Sequence, residues 1–146
     1  MKLACLIVDD EADLRLVLVR LLQAMFKRAW GPNHGIEVVV ADTCEGGLYH
    51  LRRLAEDSET RCVLVTDYEL GDGRTGSELI QSCQTLFDAE RSFQVLQSGS
   101  SLSELLEDPV VRGLPRTSLL VKPVRLAQFE ALLPWMAAVW DLSLEG

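Results

Sequence analysis

Four apolar runs in this chain each end on a polar group, and in chain order those groups are Asp9-Asp10, Asp67, Ser98 and Lys122-Pro123. Short apolar runs of this kind suit buried strands. In an open parallel sheet the carboxyl ends of the strands meet along one edge, so signals far apart in sequence converge on a single cleft. That cleft holds three carboxylates, a hydroxyl and an ammonium. Three carboxylates a few ångströms apart repel one another by about 3 kcal/mol per pair at an effective dielectric of about 20. A divalent cation relieves that repulsion, and an oxygen-only ligand set with a small negative charge suits Mg²⁺.

Composition bounds the answer. A chain of 146 residues, 48% hydrophobic and 25% charged, fits one globular domain over residues 1–146 with a proper core and no output domain. Acids outnumber bases 22 to 14, a net charge of −8, which argues against a direct nucleic-acid surface. No apolar stretch reaches transmembrane length, and the run Leu3 to Val8 ends in two aspartates, unlike a signal peptide. The expected location is the cytoplasm, without membrane insertion. Cys5, Cys44, Cys62 and Cys83 show no C-x-x-C spacing, so buried thiols are expected rather than a zinc site or a disulfide framework.

Strand and helix patterns alternate along the chain. Lys2 to Val8 reads as a strand, and Asp13 to Lys27 follows as a helix with Leu14, Val17, Leu18, Leu21 and Met25 at helical spacing. Ile36 to Ala41 is β-branched. After it, Asp42 and Thr43 are N-cap candidates for a helix carrying Leu48, Leu51 and Leu54, although Gly46-Gly47 argues against a helix there. Arg61 to Thr66 gives a third strand, Gly71-Asp72-Gly73 a loop, and Ser77 to Phe87 a helix facing Leu79, Ile80, Cys83 and Leu86 inward. Ser92 to Gln97 is a fourth strand. Ser101 or Ser103 caps a short helix to about Glu107, Pro109, Gly113 and Pro115 break the chain, and Ser118 to Val121 forms the fifth strand. A last helix begins near Arg125. Five such units predict a doubly wound α/β fold with a five-stranded parallel sheet and helices on both faces.

At this point the residues resemble a known family. Leu6-Ile7-Val8-Asp9-Asp10-Glu11, the block Val65-Thr66-Asp67-Tyr68-Glu69-Leu70-Gly71-Asp72-Gly73-Arg74-Thr75-Gly76, the pair Ser98-Gly99 and Val121-Lys122-Pro123 together look like the receiver domain of two-component response regulators. The resemblance covers nearly the whole chain and implies the flavodoxin-like strand order 2-1-3-4-5. It also implies that Asp67 accepts a phosphoryl group from a sensor histidine kinase or phosphotransfer protein. Asp9 and Asp10, with Asp67 and the backbone carbonyl of Glu69, would hold Mg²⁺. Lys122 would pair with one phosphoryl oxygen and Ser98 would hydrogen-bond another. Drawing that hydroxyl toward the phosphate would shift the surface read by a downstream protein effector.

The chain also departs from the family pattern. Leu119 stands three before Lys122, where many receivers carry a Tyr or Phe that swings on activation, so the usual aromatic readout is altered. Gly71 stands where proline is common, Gly76 falls one residue later than in the simplest receivers, and Glu69 places a carboxylate beside the phosphate entrance. At the carboxyl end, Leu126, Phe129, Leu133, Met136 and Trp140 follow a helix face, with Pro134 kinking it or starting a new turn. Trp135, Val139, Leu142 and Leu144 exceed what one face buries, which predicts an exposed apolar patch for homodimer formation or partner docking. His34 and His50 read as solvated or structural. Two other readings compete: a receiver-like scaffold that works without phosphorylation, and a phosphatase with an aspartyl nucleophile. Asp9-Asp10-Glu11 fits poorly the second-acid spacing of such enzymes.

Overall fold

The computed structural model describes residues 2–31, 35–88 and 90–140. Five strands, β1 (Lys2–Val8), β2 (Ile36–Ala41), β3 (Thr60–Asp67), β4 (Ser92–Ser98) and β5 (Thr117–Val121), form one sheet. Its order is β2-β1-β3-β4-β5 with every pairing parallel, as expected. The central β1, β3 and β4 are buried almost throughout, because helices cover both faces, whereas the edge strands β2 and β5 are only half-buried.

Side-chain alternation along the strands feeds two separate cores. One face carries Leu6, Val8, Leu64 and Leu96 beneath α2 (Cys44–Ala55), α3 (Gly76–Leu86) and the four-residue helices α4 (Leu102–Leu105) and α5 (Pro109–Arg112). The other carries Cys5, Ile7, Val63, Val65, Phe93 and Val95 beneath α1 (Ala12–Trp30), α6 (Leu126–Glu130) and α7 (Leu133–Trp140). All four cysteines are free and buried, as expected. Among the described residues no helix is long and apolar enough to cross a membrane.

Local chemistry explains where the elements depart from sequence expectation. Helix α1 runs on to Trp30 because Phe26, Ala29 and Trp30 continue the buried stripe, and Gly31 then ends it at φ 78°. Val17, expected on the inner face, is 50% exposed, since the stripe follows Leu18, Leu22 and Met25. Thr43 caps α2 by accepting from the Gly46 amide at 3.0 Å. Gly47 lets that helix approach both α3 and the sheet: a Cβ there would lie 2.9 Å from Leu79 and 3.2 Å from Val8. Pro109 is no breaker. It opens α5 behind the Asp108 N-cap, where a missing amide proton costs nothing. The carboxyl-terminal helix is two helices, with Pro134 in the first turn of the second. Phe129, Met136 and Trp140 are buried, while Trp135 and Val139 are exposed at 66% and 43%. Leu142, Leu144 and His34 lie outside the described residues.

Candidate functional site

The same period of two that builds the second core also builds the site. Cys5 and Ile7 lead to Asp9, Val63 and Val65 to Asp67, Phe93 and Val95 to Gln97, and Leu120 to Lys122. Each polar residue is therefore the next step of an apolar row, carried to the carboxyl end of its strand (Asp67, Gln97) or one residue past it (Asp9, Lys122) on the α1 side. The Lys122 ammonium lies 3.1 Å from Asp67 Oδ2, 3.4 Å from Asp9 Oδ2 and 4.0 Å from Glu11 Oε1. Its peptide bond to Pro123 is cis.

Asp9 is fully buried and held on all sides. Its Oδ1 accepts from the Glu11 amide at 2.9 Å, its Oδ2 accepts from the Gln97 side-chain amide at 3.4 Å, and its carbonyl accepts from Arg15 Nη1 at 2.6 Å. Asp10 and Glu11 follow it into the exposed mouth. Carboxylate oxygens of Asp9, Asp10 and Glu11 all lie within 4.8 Å of one another, a hard oxygen donor set of the kind a divalent cation takes. Asp67 closes the other side, only 8% exposed. Burial pushes its carboxyl pKa above the ordinary value, against the opposing hydrogen bond and charge of Lys122. For Lys122 burial alone would lower the pKa, but the hydrogen bond to Asp67 and the charges of Asp67 and Asp9 raise it, so the ammonium stays charged.

The loop after Asp67 is braced against the site. Gly76 N–H donates to the Tyr68 carbonyl at 2.7 Å, and a Cβ on Gly76 would sit 2.1 Å from the Asp67 carbonyl oxygen. Only glycine fits there. Gly71 lies against Asp10, and Asp72 accepts from the Glu45 amide at the start of α2.

Ser98 and Glu69 stand apart from the charged cluster. Ser98 ends β4 one position after Gln97, so its side chain leaves from the opposite face, where its hydroxyl accepts from the Ser100 amide at 3.0 Å. Its backbone is nevertheless tied to the site, because its carbonyl accepts from Lys122 N–H at 2.7 Å. Glu69 is exposed at the rim, with its backbone bridged to Thr75. Sequence reasoning missed Gln97 and Arg15 and gave Glu11 no role. A polar residue one alternation beyond Val95 was the available signal for Gln97.

No protein-family model matches the sequence, and comparison with curated proteins found no match. Comparison with solved structures did. A response regulator receiver protein from Sinorhizobium medicae superposes with a TM-score of 0.70 at 20% identity, covering 94% of this chain and 95% of that one. A response regulator receiver domain protein from Clostridium thermocellum gives 0.69 at 16% identity, covering 94% and 96%. The CheX-CheY-BeF3-Mg²⁺ complex from Borrelia burgdorferi gives 0.64 at 14% identity, covering 91% and 89%. Over nearly its whole length, the chain has the fold of a response regulator receiver domain.

Proposed function

We propose that this chain, over residues 1–146, is a receiver that accepts a phosphoryl group on Asp67 and passes the event on through a protein surface. The observation that carries the reading is the placement of the Lys122 ammonium 3.1 Å from Asp67 Oδ2, with the Asp9, Asp10 and Glu11 carboxylates on the other side. In transfer, an Asp67 carboxylate oxygen attacks phosphorus as the bond from phosphorus to the donor breaks, leaving an acyl phosphate on Asp67. The donor is a phosphohistidine on a sensor histidine kinase or phosphotransfer protein. Lys122 releases Asp67 Oδ2 and pairs with a phosphoryl oxygen while remaining within reach of Asp9. Asp9 is fixed by Gln97, Arg15 and the Glu11 amide, so it need not reorganise during the reaction.

The donor set fits Mg²⁺. Asp9, Asp10 and Asp67, with the Glu69 carbonyl, would hold the ion, and Glu11 adds a carboxylate to the same mouth. When bound, Mg²⁺ supplies positive charge where the phosphoryl oxygens gather. The Borrelia burgdorferi neighbour, solved with BeF3 and Mg²⁺, supports this assignment by its fold. Ser98 would turn from the Ser100 amide toward the phosphoryl group, which moves the start of the segment leading into α4. The effector is a protein, and Trp135 and Val139 offer an exposed apolar pair for docking or self-association.

Intact mass after incubation with Mg²⁺ and acetyl phosphate, alongside BeF3 binding, tests the reading. One adduct that requires Mg²⁺ and is absent from Asp67→Asn is expected. A folded protein that takes neither adduct nor BeF3 would support the phosphorylation-independent scaffold, and turnover of a simple aryl phosphate would support the phosphatase.

A further inference from the structure

The residue after the nucleophile is bonded to a position 40 residues further along the chain. Tyr68 follows Asp67 at the end of β3, and its hydroxyl donates to Asp108 Oδ2 at 2.6 Å. Asp108 is a junction. Its Oδ1 caps α5 by accepting from the Val110 amide at 2.9 Å, and its Oδ2 also accepts from the Ser77 hydroxyl at 3.4 Å, in the first turn of α3. One carboxylate thus joins the nucleophile's loop, α3 and α5. The hydrogen bond to Asp108, then burial, pushes the Tyr68 phenol up to about 12, and the same bond holds Asp108 below the usual carboxylate range.

Besides this junction, the segment is fixed mainly at its far end, where Gln84 Nε2 donates to the Pro115 carbonyl at 2.6 Å, Arg116 lies over the Phe93 ring at 5.1 Å and Leu114 packs against the core. Between Ser98 and β5 lie only the two four-residue helices, too short to be stable alone. Their apolar anchors are Leu105 and Val111, 2% and 3% exposed, while Leu102 and Leu106 face solvent. Ser98, at the start of the segment, spends its hydroxyl on Ser100. Leu119, on β5, and Tyr68 pack against the same core, so the aromatic ring with a hydroxyl precedes the segment rather than following it.

We infer that the Tyr68 to Asp108 hydrogen bond is a tether that holds residues 99–116 in the position described here and so opposes loading of Asp67. This rests on Asp67 being a phosphoryl acceptor. Loading draws Ser98 away from Ser100 and pulls the segment from its start, and the tether resists that pull from its middle. Whatever favours the unloaded position lowers the affinity of Asp67 for a phosphoryl group, and releasing it raises that affinity by the same factor. Tyr68 and Asp108 are positioning residues in this scheme, acting on Asp67 through the segment.

Tyr68→Phe removes the hydroxyl and keeps the ring. Amide hydrogen exchange should quicken in residues 99–116 and stay unchanged elsewhere, and Mg²⁺-dependent affinity for BeF3 should rise about fivefold, the factor that about 1 kcal/mol makes. Asp108→Ser, whose hydroxyl still caps Val110 but is too short to reach Tyr68, should move both readouts the same way, and the double variant should bind no tighter than the stronger single one. Unchanged exchange in 99–116 would overturn the tether. Unchanged or weaker BeF3 affinity would overturn its coupling to Asp67, and weaker affinity with faster exchange throughout the chain would show a merely structural bond. If the unmodified protein binds no BeF3, the acceptor reading fails and the coupling with it, while exchange in 99–116 still decides whether the tether exists.

Discussion

Over one face of the sheet lies the 19-residue α1 with α6 and α7; over the other lie α2, α3 and two helices of four residues each. The first face is rich in rings, with Phe26, Trp30, Phe93, Phe129 and Trp140 in its core, and Phe26 stacks on Trp30 at 5.2 Å. The second is made mostly of leucines and cysteines. The charged groups of the site extend the rows of the ring-rich face, whereas Ser98, Tyr68 and Asp108 belong to the other. Fixed chemistry is thus mounted on the ring-rich side, and the parts that must move are mounted on the other side, where two four-residue helices lie between β4 and β5. Close packing resists displacement, and a segment of two short helices resists it less.

The largest break in this comparison would come from the ring-rich core. Trp30→Ala should cost about 3–5 kcal/mol in urea denaturation, yet the protein that remains folded should still bind BeF3 with unaltered affinity, since Trp30 lies at the far end of α1 from the site. An altered affinity would mean that the packed face is not a passive mount. Gly76→Ala comes next, with a loss of about 3 kcal/mol and, unlike Trp30→Ala, loss of the Asp67 adduct, because the new methyl meets the Asp67 backbone rather than a yielding side chain. Retained adduct formation would show that the nucleophile tolerates a displaced loop. The smallest effect is one of pH. Asp108 has its pKa lowered in the folded protein, by Tyr68 first, so the stability it contributes is present above the ordinary carboxylate range and is lost as pH falls through the lowered value. The groups facing it are the Tyr68 and Ser77 hydroxyls and the Val110 and Val111 amides, none of which titrates there. The Tm difference between the unmodified protein and Tyr68→Phe should therefore be full at neutral pH and shrink below about pH 4; a difference that persists in acid would locate the effect in ring packing instead.

Much of this organisation was legible in the residues. Asp9, Asp67 and Lys122 could be placed because each ends an apolar run, and a run's end marks a sheet edge. The strand order came from resemblance rather than pattern, since periodicity says where a strand is and not what lies beside it. Gln97 was placed at the end of its strand but given no role, because a neutral amide carries none of the charge that marked Asp9, Asp67 and Lys122, although here it is 1% exposed. Pro109 misled because proline both ends helices and begins them, and only the Asp108 cap distinguishes the two. Val17 misled because 3.6-residue spacing fits two neighbouring stripes on one helix, and the choice between them is made by the partner surface.

The distribution of rings has an optical consequence. Trp30, Trp135 and Trp140, the three tryptophans of the chain, all ride on α1 and α7, and Trp140 lies edge-on to Phe93 at 5.3 Å on the same side. Their emission reports on the side of the molecule away from residues 99–116, as long as no partner covers Trp135. A fluorescence titration that stays flat on loading would therefore be the signature of a quiet reporter, and a tryptophan introduced at Leu106, exposed between α4 and α5, would place the chromophore on the side where the change occurs.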